Sequence, residues 1–331
     1  RDSSVTGVQT CALPIYGVFI VKPIVMAPAK SILGTKYQYE YSFSCGITAP
    51  VYEVSTISGL SQIIGYAKFK NSQYGDVFYR GQCSLHPALE PSIYRNITTQ
   101  RSREKANSRL NKVRDMLLGD PQFIKFAKLE MSDPITTPVR LECLLQHYGG
   151  GTHYIDVVDN HWTALWFGQY KYIRHPKSPS IVRYERRSID YCNIIRNATG
   201  YDFDSLYQYI ILLAADTYKS VEYIDGISFN TDSIVNDLRI SLPSTFLRPH
   251  SQHGIVIKRK SSDGNFDLDL ANNIVCILKI RIDIVNEWLG EGELLSVKGL
   301  FPDPINDQGY KTLIDKSNLF AQENYHIPYY M

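Results

Sequence analysis

The sequence predicts a single mixed α+β domain in which N-terminal helices surround a small sheet of late strands. Segments with helical spacing of apolar residues come first along the chain, and short apolar runs typical of buried strands come last. Apolar residues make up 44% of the 331 residues and charged residues 21%, which is typical of a globular protein with a sizeable core. Because helices and strands are segregated along the chain, the order favours an α+β fold over a doubly wound sheet.

Apolar periodicity and end signals predict the individual elements. Residues 27–55 mix Pro, Gly, Ser and Tyr, and we expect loops or short strands there. The most apolar predicted helix, Ser205–Tyr218, is expected to be central, and three glycines after Tyr148 supply a left-handed helix cap. The other predicted helices are Ser58–Lys70, Ser102–Leu118, a helix from Pro121, Val139–Tyr148, His161–Tyr170, Asp283–Leu289 and Gln308–Ile314, and the predicted strands are Val77–Tyr79, Gly254–Lys258 and Ile274–Ile282.

The composition limits the classes of function. The formal net charge is +2, which does not indicate an obligate nucleic-acid partner. No apolar run reaches the roughly 18 residues of a membrane span, so no membrane partner is expected. The six cysteines form no C-x-x-C pair, which argues against a zinc ribbon or a disulfide scaffold and favours a reducing compartment. We therefore expect a cytoplasmic protein.

The N-terminal residues do not look like part of the fold. Residues 1–15, RDSSVTGVQTCALPI, resemble an in-frame translation of a sequencing-library adapter, and we interpret them as artefactual. The predicted organisation is then an artefactual segment at 1–15, an N-terminal leader at 16–57, one domain at 58–315 and a C-terminal tail at 316–331.

Polar residues follow the ends of several predicted elements. Arg80 and Gln82 follow the end of a predicted strand. An arginine there can offer its planar guanidinium to a carboxylate or phosphate, or it can be a structural arginine paired with a buried acid. His147 lies at a helix C-terminus, which favours its charged form, so it is either functional or a capping residue. Thr152 and Asp156 follow; Asp156 can orient a base, pair with Arg80, or cap the helix near residue 161.

Other chemistries have weaker support in the sequence. The three glycines lack the lysine and Ser/Thr of a P-loop. No metal is predicted, because the candidate ligands show no H-E-x-x-H or facial-triad spacing. These candidates are His147, His153, Asp156, Asp159 and His161. No G-x-S-x-G motif is present. Seven basic residues from Arg95 to Arg114 form a helix face that is either simply solvated or contacts phosphates.

These motifs together resemble the FRG domain family, which is named for a Phe-Arg-Gly motif. The similarity covers about residues 58–315, and it implies a bacterial protein associated with mobile elements or phages. The family's Leu-Pro-Thr-Arg-Leu-Leu-Asp-Trp-Thr segment stands here as Gly150 to Val158, without the arginine and the tryptophan. The matching segments are Tyr79-Arg80-Gly81-Gln82, Pro91-Ser92, Gln146-His147-Tyr148-Gly149, Thr152, Asp156, Ala164-Leu165-Trp166-Phe167, Gln252 with Gly254, and Leu300-Phe301-Pro302-Asp303.

A more distant resemblance is to the ADP-ribosyltransferases. It rests on a strand ending in Tyr-Arg-Gly, a later Thr followed by an Ala-x-x-Phe helix, and a polar residue before a late strand. In those enzymes the arginine grips nicotinamide adenine dinucleotide (NAD) and a glutamate near the third motif aids transfer. The resemblance implies NAD as a possible cofactor, with Arg80 as the gripping residue and Gln252 at the place of the glutamate.

The sequence thus predicts a polar pocket that binds a small anionic, nucleotide-like ligand. Arg80 would clamp phosphate or carboxylate and His147 would serve as acid or base. The predicted catalytic residues are His147, Asp156 and Gln252, and the predicted ligand-binding residues are Arg80, Gln82 and Thr152. One alternative is a non-catalytic module that binds nucleic acid or protein through the basic helix at 101–114. Another is a structural domain whose polar motif only ties the fold together.

Overall fold

Helices and two sheets form a mixed α+β structure, which confirms the predicted class. The computed structural model describes residues 23–26, 34–129, 133–190, 206–260 and 268–330. The prediction for residues 1–15 therefore lies outside the described residues. The strands are β1 (Thr35–Ser42), β2 (Thr48–Val54), β3 (Val77–Gln82), β4 (Ile155–Val158), β5 (Tyr170–His175), β6 (Ser178–Arg186), β7 (Tyr207–Ala214), β8 (Glu222–Ile224), β9 (Ile227–Phe229), β10 (Ser233–Asp237), β11 (Gly254–Arg259), β12 (Ile274–Arg281) and β13 (Tyr329–Tyr330).

The helices lie mostly where apolar periodicity predicts them. Their N-termini use the expected caps: Thr56, Thr99 and Asn160 each accept a backbone N–H, and Pro121 follows the capping Asp120. The helices are α1 (Ile57–Lys70), α2 (Gln100–Leu118), α3 (Pro121–Phe126), α4 (Thr136–His147), α5 (His161–Gln169), α6 (Leu238–Ser241), α7 (Leu247–Gln252), α8 (Ile282–Leu289), α9 (Val297–Leu300), α10 (Gln308–Asp315) and α11 (Ser317–Ala321). No helix of the described residues has the length and apolar composition needed to cross a membrane.

The main sheet has ten strands in the order β1-β2-β12-β7-β3-β4-β11-β10-β9-β8. All neighbouring strands are antiparallel except β2 and β12, which run parallel. The sheet is thus larger than the predicted small sheet of late strands, and its strands come from residues between Thr35 and Arg281. The β1–β2 hairpin lies within the predicted leader, where short mixed runs gave only a weak strand signal.

The segment predicted as a central helix at Ser205–Tyr218 is wrong in type, because Tyr207–Ala214 forms β7. This strand is central and pairs with β12 on one side and β3 on the other. All its residues after Tyr207 are buried. An apolar run buried on both faces has no alternation of period two, so periodicity cannot distinguish it from a buried helix.

Helix α5 lies directly against β3, and Gly81 is the reason that it can. A Cβ atom at Gly81 would lie 1.8 Å from the backbone carbonyl oxygen of Ala164 and 2.7 Å from the backbone nitrogen of Gly168. The Tyr-Arg-Gly and Ala-Leu-x-Phe segments are therefore one packing unit. The approach of a backbone, rather than of a ligand, explains this glycine.

A three-stranded sheet lies beside the main sheet in the order β13-β6-β5. The β5–β6 hairpin is antiparallel, and β13, from the predicted C-terminal tail, adds to β6 in parallel. Tyr330 of β13 is buried and packs in the same apolar cluster as Tyr184 of β6 and Phe301. The end of the described chain is thus part of the core rather than an appendage to it.

Candidate functional site

The candidate site is a cavity of about 470 Å³ where β3 and β4 separate. These neighbouring strands pair only at Tyr79 and Val158. Beyond that pair, residues of both strands turn to the cavity instead of to each other. Five of the six predicted site residues line it, namely Arg80, Gln82, His147, Asp156 and Gln252. Motifs that are far apart in the sequence therefore converge on one space.

The guanidinium of Arg80 bridges the gap between the two strands. Its Nη1 donates a 2.6 Å hydrogen bond to the backbone carbonyl oxygen of Asp156. Its buried Nε has no hydrogen-bond partner among the described residues. Burial and the nearby charge of Arg95 lower the pKa of Arg80 to about 10, although the Asp156 carboxylate opposes them. Arg80 is therefore cationic at neutral pH, and its hydrogen bond goes to a carbonyl group rather than to the buried acid that a structural arginine would need.

Asp156 supplies a carboxylate to the cavity, and its neighbours keep it ionised. Gln146 Nε2 donates a 2.5 Å hydrogen bond to its Oδ2, and His147 Nδ1 lies 3.7 Å from its Oδ1. Burial opposes ionisation, but the contacts with His147, Arg80 and Gln146 outweigh it and lower the pKa of Asp156. Asn160, not Asp156, caps the helix that starts at residue 161.

Thr152 does not line the cavity, which corrects its predicted role in ligand binding. It is fully buried, and its hydroxyl donates a 2.6 Å hydrogen bond to Gln146 Oε1. Ser92 Oγ donates to the same oxygen at 3.3 Å. With its oxygen held by two hydroxyl donors, the Gln146 amide turns its nitrogen toward Asp156. Thr152 therefore acts behind the site by orienting Gln146.

His147 lies between Asp156 and Gly254. A Cβ atom on Gly254 would be 2.5 Å from His147 Cε1, so only glycine at this strand start leaves room for the ring. The Nε2 atom is buried and has no hydrogen-bond partner among the described residues. The geometry presents Nδ1 to Asp156 and encloses Nε2, so His147 is placed to act through the Asp156 carboxylate.

The two predicted glutamines differ in their surroundings. Gln82 is buried, and its Oε1 has no hydrogen-bond partner among the described residues, which leaves a polar acceptor at the cavity wall. Gln252 donates from Nε2 to the backbone carbonyl oxygen of Leu300 at 2.6 Å. Its amide nitrogen therefore joins α7 to α9. Among the described residues that line the cavity, Asp156 supplies the carboxylate, and no other acidic side chain lies beside Gln252.

The glycine run after α4 serves packing. Gly149 ends the helix with a φ of +91°, as the predicted left-handed cap requires. Added Cβ atoms would lie 2.5 Å from Pro328 at Gly149 and 1.9 Å from the Tyr325 hydroxyl at Gly150. The glycines thus let the C-terminal residues cross the end of α4, and they form a packing surface rather than a phosphate loop.

Positive charge is concentrated at the cavity. Among the described lining residues the four permanent cations are Arg80, Arg95, Lys171 and Arg174, and the carboxylate is that of Asp156. His86 also lines the cavity, and burial together with the charges of Arg95 and Arg80 lowers its pKa. The positive charges of Arg95 and Arg80 that disfavour a protonated histidine also favour a bound anion.

One wall of the cavity is aromatic, and sequence reasoning missed it. The tyrosine and phenylalanine residues come from the small sheet, from β3, from α5 and from the segment after α9. Tyr184 and Tyr330 stack at 6.0 Å with an interplanar angle of 4°, and Phe301 stacks on Tyr330 at 4.7 Å. The chain has 24 tyrosines, a number that can reflect the composition of the genome and so does not single out these residues. The sequence signal that could have predicted this wall is the Tyr-Lys-Tyr-x-Arg run at residues 170–174. The full set is Tyr79, Phe167, Tyr170, Tyr172, Tyr184, Phe301 and Tyr330.

Arg248 supports this aromatic wall from behind. It is fully buried, and its guanidinium lies 4.4 Å from the ring centroids of Tyr310 and Tyr330, 4.5 Å from that of Tyr148 and 5.2 Å from that of Phe301. Within the described residues, none of its side-chain nitrogens has a hydrogen-bond partner of acceptable geometry. Cation–π contacts and the nearby Asp307 carboxylate therefore stabilise the charge.

The basic face of α2 is partly neutralised. Lys112 pairs with Glu323 at 3.0 Å, and Arg103 lies 3.8 Å from Glu90. The histidines and aspartates considered as metal ligands do not all come together: His147 lies beside Asp156, but His153 contacts Glu142 at 2.7 Å and Asp159 pairs with Arg239 at 2.8 Å. Across the described ranges, no three His, Cys, Asp or Glu side chains cluster in a way that could hold a metal ion.

The comparisons with known proteins give one positive finding. The FRG domain model matches residues 75–176, which span β3 to β5 and include Arg80, His147 and Asp156. No curated protein and no solved structure matches the chain. This part of the chain is therefore an FRG domain, as the motifs from Tyr79 to Phe167 predict.

Proposed function

We propose that the FRG domain of this chain binds an anionic, nucleotide-like ligand in the cavity between β3 and β4. The observation that carries the proposal is the joining of a cationic cluster and an aromatic wall in one cavity of about 470 Å³. That volume lies within the usual range for small-molecule sites. Phosphate oxygens match the arginine forks, and a flat base or nicotinamide ring matches the tyrosine wall.

Each part of the ligand has a partner in this arrangement. Arg80 offers the donors that are not used on the Asp156 carbonyl, and Arg95 lies close enough to affect its pKa. The positive charges of Arg80 and Arg95 repel each other in the free protein, and a bound anion relieves that repulsion. Gln82 Oε1 supplies an acceptor for a ligand donor.

We extend the proposal to group transfer from a dinucleotide, the chemistry that the resemblance to ADP-ribosyltransferases implies. The ionised carboxylate of Asp156 suits stabilisation of positive charge that develops on a ribose as the bond to a leaving base breaks. His147 and Gln146 hold this carboxylate in place. In this arrangement Asp156 provides the negative charge, because the Gln252 side chain is a neutral amide and its nitrogen is bound to Leu300.

We also propose that the protein works in the cytoplasm of a bacterium, associated with mobile elements or phages as the family resemblance implies. Cys45, Cys143 and Cys276 are free thiols, which suits a reducing compartment. Fractionation of the source cells, followed by detection of the protein, tests the location; recovery from the periplasm or the medium would contradict it.

Replacing Arg80 by lysine is expected to weaken binding of NAD by about ten- to a hundred-fold. The lysine keeps the charge but loses the planar fork, and one charge-assisted hydrogen bond is worth roughly 1.5–3 kcal/mol. Calorimetric titration of wild type and variant with NAD, ADP-ribose and uncharged adenosine measures this.

The controls separate the parts of the proposal. Arg109→Lys on the exposed face of α2 keeps the same chemistry far from the motif and should bind like wild type. If adenosine binds as tightly as ADP-ribose, the anionic part of the proposal is wrong. If no anionic nucleotide binds the wild type, the whole proposal is wrong, and unchanged affinity in Arg80→Lys removes the role of this arginine.

Affinity for NAD is expected to rise about two- to five-fold as the pH falls from about 8 to about 5.5, an effect of the size of one exposed charge pair. The pKa of His86 is lowered in the free protein by burial and by Arg95 and Arg80, so His86 is neutral at pH 7. Protonation at lower pH adds a cation to the cavity, and a bound anion favours that protonated form. Titrations across this range with wild type and His86→Gln check the effect; an equal rise in His86→Gln would assign it to another group.

A further inference from the structure

The β5–β6 hairpin is one of two strongly basic segments of the chain, the other being the segment from Arg95 to Arg114. Residues 170–187 hold six basic residues and one acidic residue, whereas the whole protein has a net charge of +2. The rest of the chain is therefore acidic overall. Such a local excess indicates a surface for a polyanion rather than a general solubilising charge.

Two of these basic residues have structural roles, and the others face solvent. Arg187 is buried and donates to the backbone carbonyl oxygens of Gly168 and Tyr207. Arg186 contacts Asn286 and Glu291. The exposed members are Lys171, Arg174, Lys177 and Arg183. Of these, Arg183 pairs with Glu185, and this exposed pair is weak.

The same hairpin places aromatic rings between its charges. Tyr172 pairs in register with Tyr184, and Arg174 lies two residues further along the same face, with its guanidinium 5.8 Å from the Tyr172 ring. Lys171, Tyr172, Arg174 and Tyr184 all line the cavity. Since Lys171 and Arg174 are also exposed, the cavity opens to solvent along the hairpin.

We propose that the β5–β6 hairpin binds single-stranded nucleic acid and that the cavity receives one nucleotide of that strand. This inference rests on the proposed nucleotide site and names the larger molecule to which the nucleotide belongs. Arg80 and Arg174 line the cavity, and Lys177 lies beyond them at the turn of the hairpin. Several cations from the cavity to the turn suit several successive phosphates, which one small ligand does not provide. Interleaved tyrosines match unstacked bases, and α2 lacks such aromatic residues.

The test compares a strand with its own building block. A labelled oligothymidylate and an oligouridylate are titrated by fluorescence anisotropy, and thymidine and uridine monophosphates by calorimetry. The hairpin variant carries Lys171→Gln, Arg174→Gln and Lys177→Gln. The helix variant carries Arg101→Gln, Lys105→Gln and Arg109→Gln, and it loses the same charge from the exposed face of α2. Thermal unfolding checks both variants, and Lys177→Glu at the hairpin turn replaces the triple variant if that variant unfolds.

We expect wild type to bind one of the oligonucleotides at least about ten-fold more tightly than the mononucleotide, with an affinity that falls with salt. The hairpin variant should lose that advantage and have a salt slope about two units shallower, since each single-strand phosphate contact contributes about 0.7. The helix variant should retain both.

Other results overturn the inference. Equal affinity for strand and mononucleotide in wild type rejects it while the nucleotide site stands. Absence of strand binding also rejects it, and the titrations with NAD and ADP-ribose decide the nucleotide site separately. An equal loss for strand and mononucleotide in the hairpin variant limits the hairpin to the cavity ligand. Loss of the strand's advantage in the helix variant instead places the strand on α2.

Discussion

Replacing Gly81 by alanine is expected to lower the free energy of unfolding by about 3 kcal/mol or more, because overpacking against a rigid neighbour lies at the high end of such effects. The new Cβ atom would meet the Ala164 carbonyl oxygen at 1.8 Å. The clashing groups, the Ala164 carbonyl oxygen and the Gly168 nitrogen, both belong to the backbone, so no flexible side chain can move aside to relieve the clash. Helix α5 and strand β3 must therefore move apart, which displaces Arg80, the neighbour of Gly81 on β3.

Urea denaturation of wild type and Gly81→Ala measures this loss, and Gly65→Ala is the matched control. Gly65 lies inside α1, is exposed, and has nothing within 4 Å of an added Cβ atom. Because alanine is the better helix former, Gly65→Ala should gain about 0.5–1 kcal/mol. A Gly81→Ala protein as stable as wild type would show that the close approach of α5 is not required.

Replacing Arg248 by methionine is expected to cost about 3–5 kcal/mol, as does breaking a buried charge pair from one side. Methionine fills similar space but removes the cation from the aromatic cage. Asp307 is fully buried and would then lack its cation. Its carboxylate accepts hydrogen bonds from the Tyr148 hydroxyl at 2.6 Å and from the backbone N–H groups of Tyr310 at 2.9 Å and Arg248 at 3.1 Å.

A double-mutant cycle tests this explanation. Asp307→Asn in the Arg248→Met background should recover part of the loss, with a coupling of about 1 kcal/mol or more, because the uncompensated carboxylate is then also gone. Additive losses would mean that the two charges do not stabilise each other. A stable Arg248→Met protein would show that the cage needs only an apolar filler, as buried ion pairs sometimes do.

Periodicity predicted the helices well and the sheet poorly. The structure places α1, α2, α4 and α5 close to their predicted bounds. The buried face of a helix is visible in the sequence because its apolar residues recur every three to four positions. The strand β7 was mistaken for a helix because both of its faces are buried. The β1–β2 hairpin gave little local signal, because its partner in the sheet, β12, is more than 200 residues away.

The candidate site was partly predictable. Arg80, His147 and Asp156 were predicted because each polar residue stands next to an element end in a recognisable motif, and all three line the cavity. Thr152 belongs to the same motif, but its hydroxyl is directed to Gln146 rather than to the cavity. Tyr184, Phe301 and Tyr330 were missed, since an aromatic residue in a core and one in a cavity wall look alike in sequence.

The sequence by itself determined the α+β class, most helices and the polar motifs of the FRG domain, because these depend on local spacing and on residue chemistry. The tertiary structure decided where β3 and β4 separate, which hydroxyls orient Gln146, and how the C-terminal Tyr330 comes to stack on Phe301. These features depend on contacts between residues that are distant in the chain. Close packing and hydrogen-bond satisfaction across the whole fold select such contacts, and no local pattern records them.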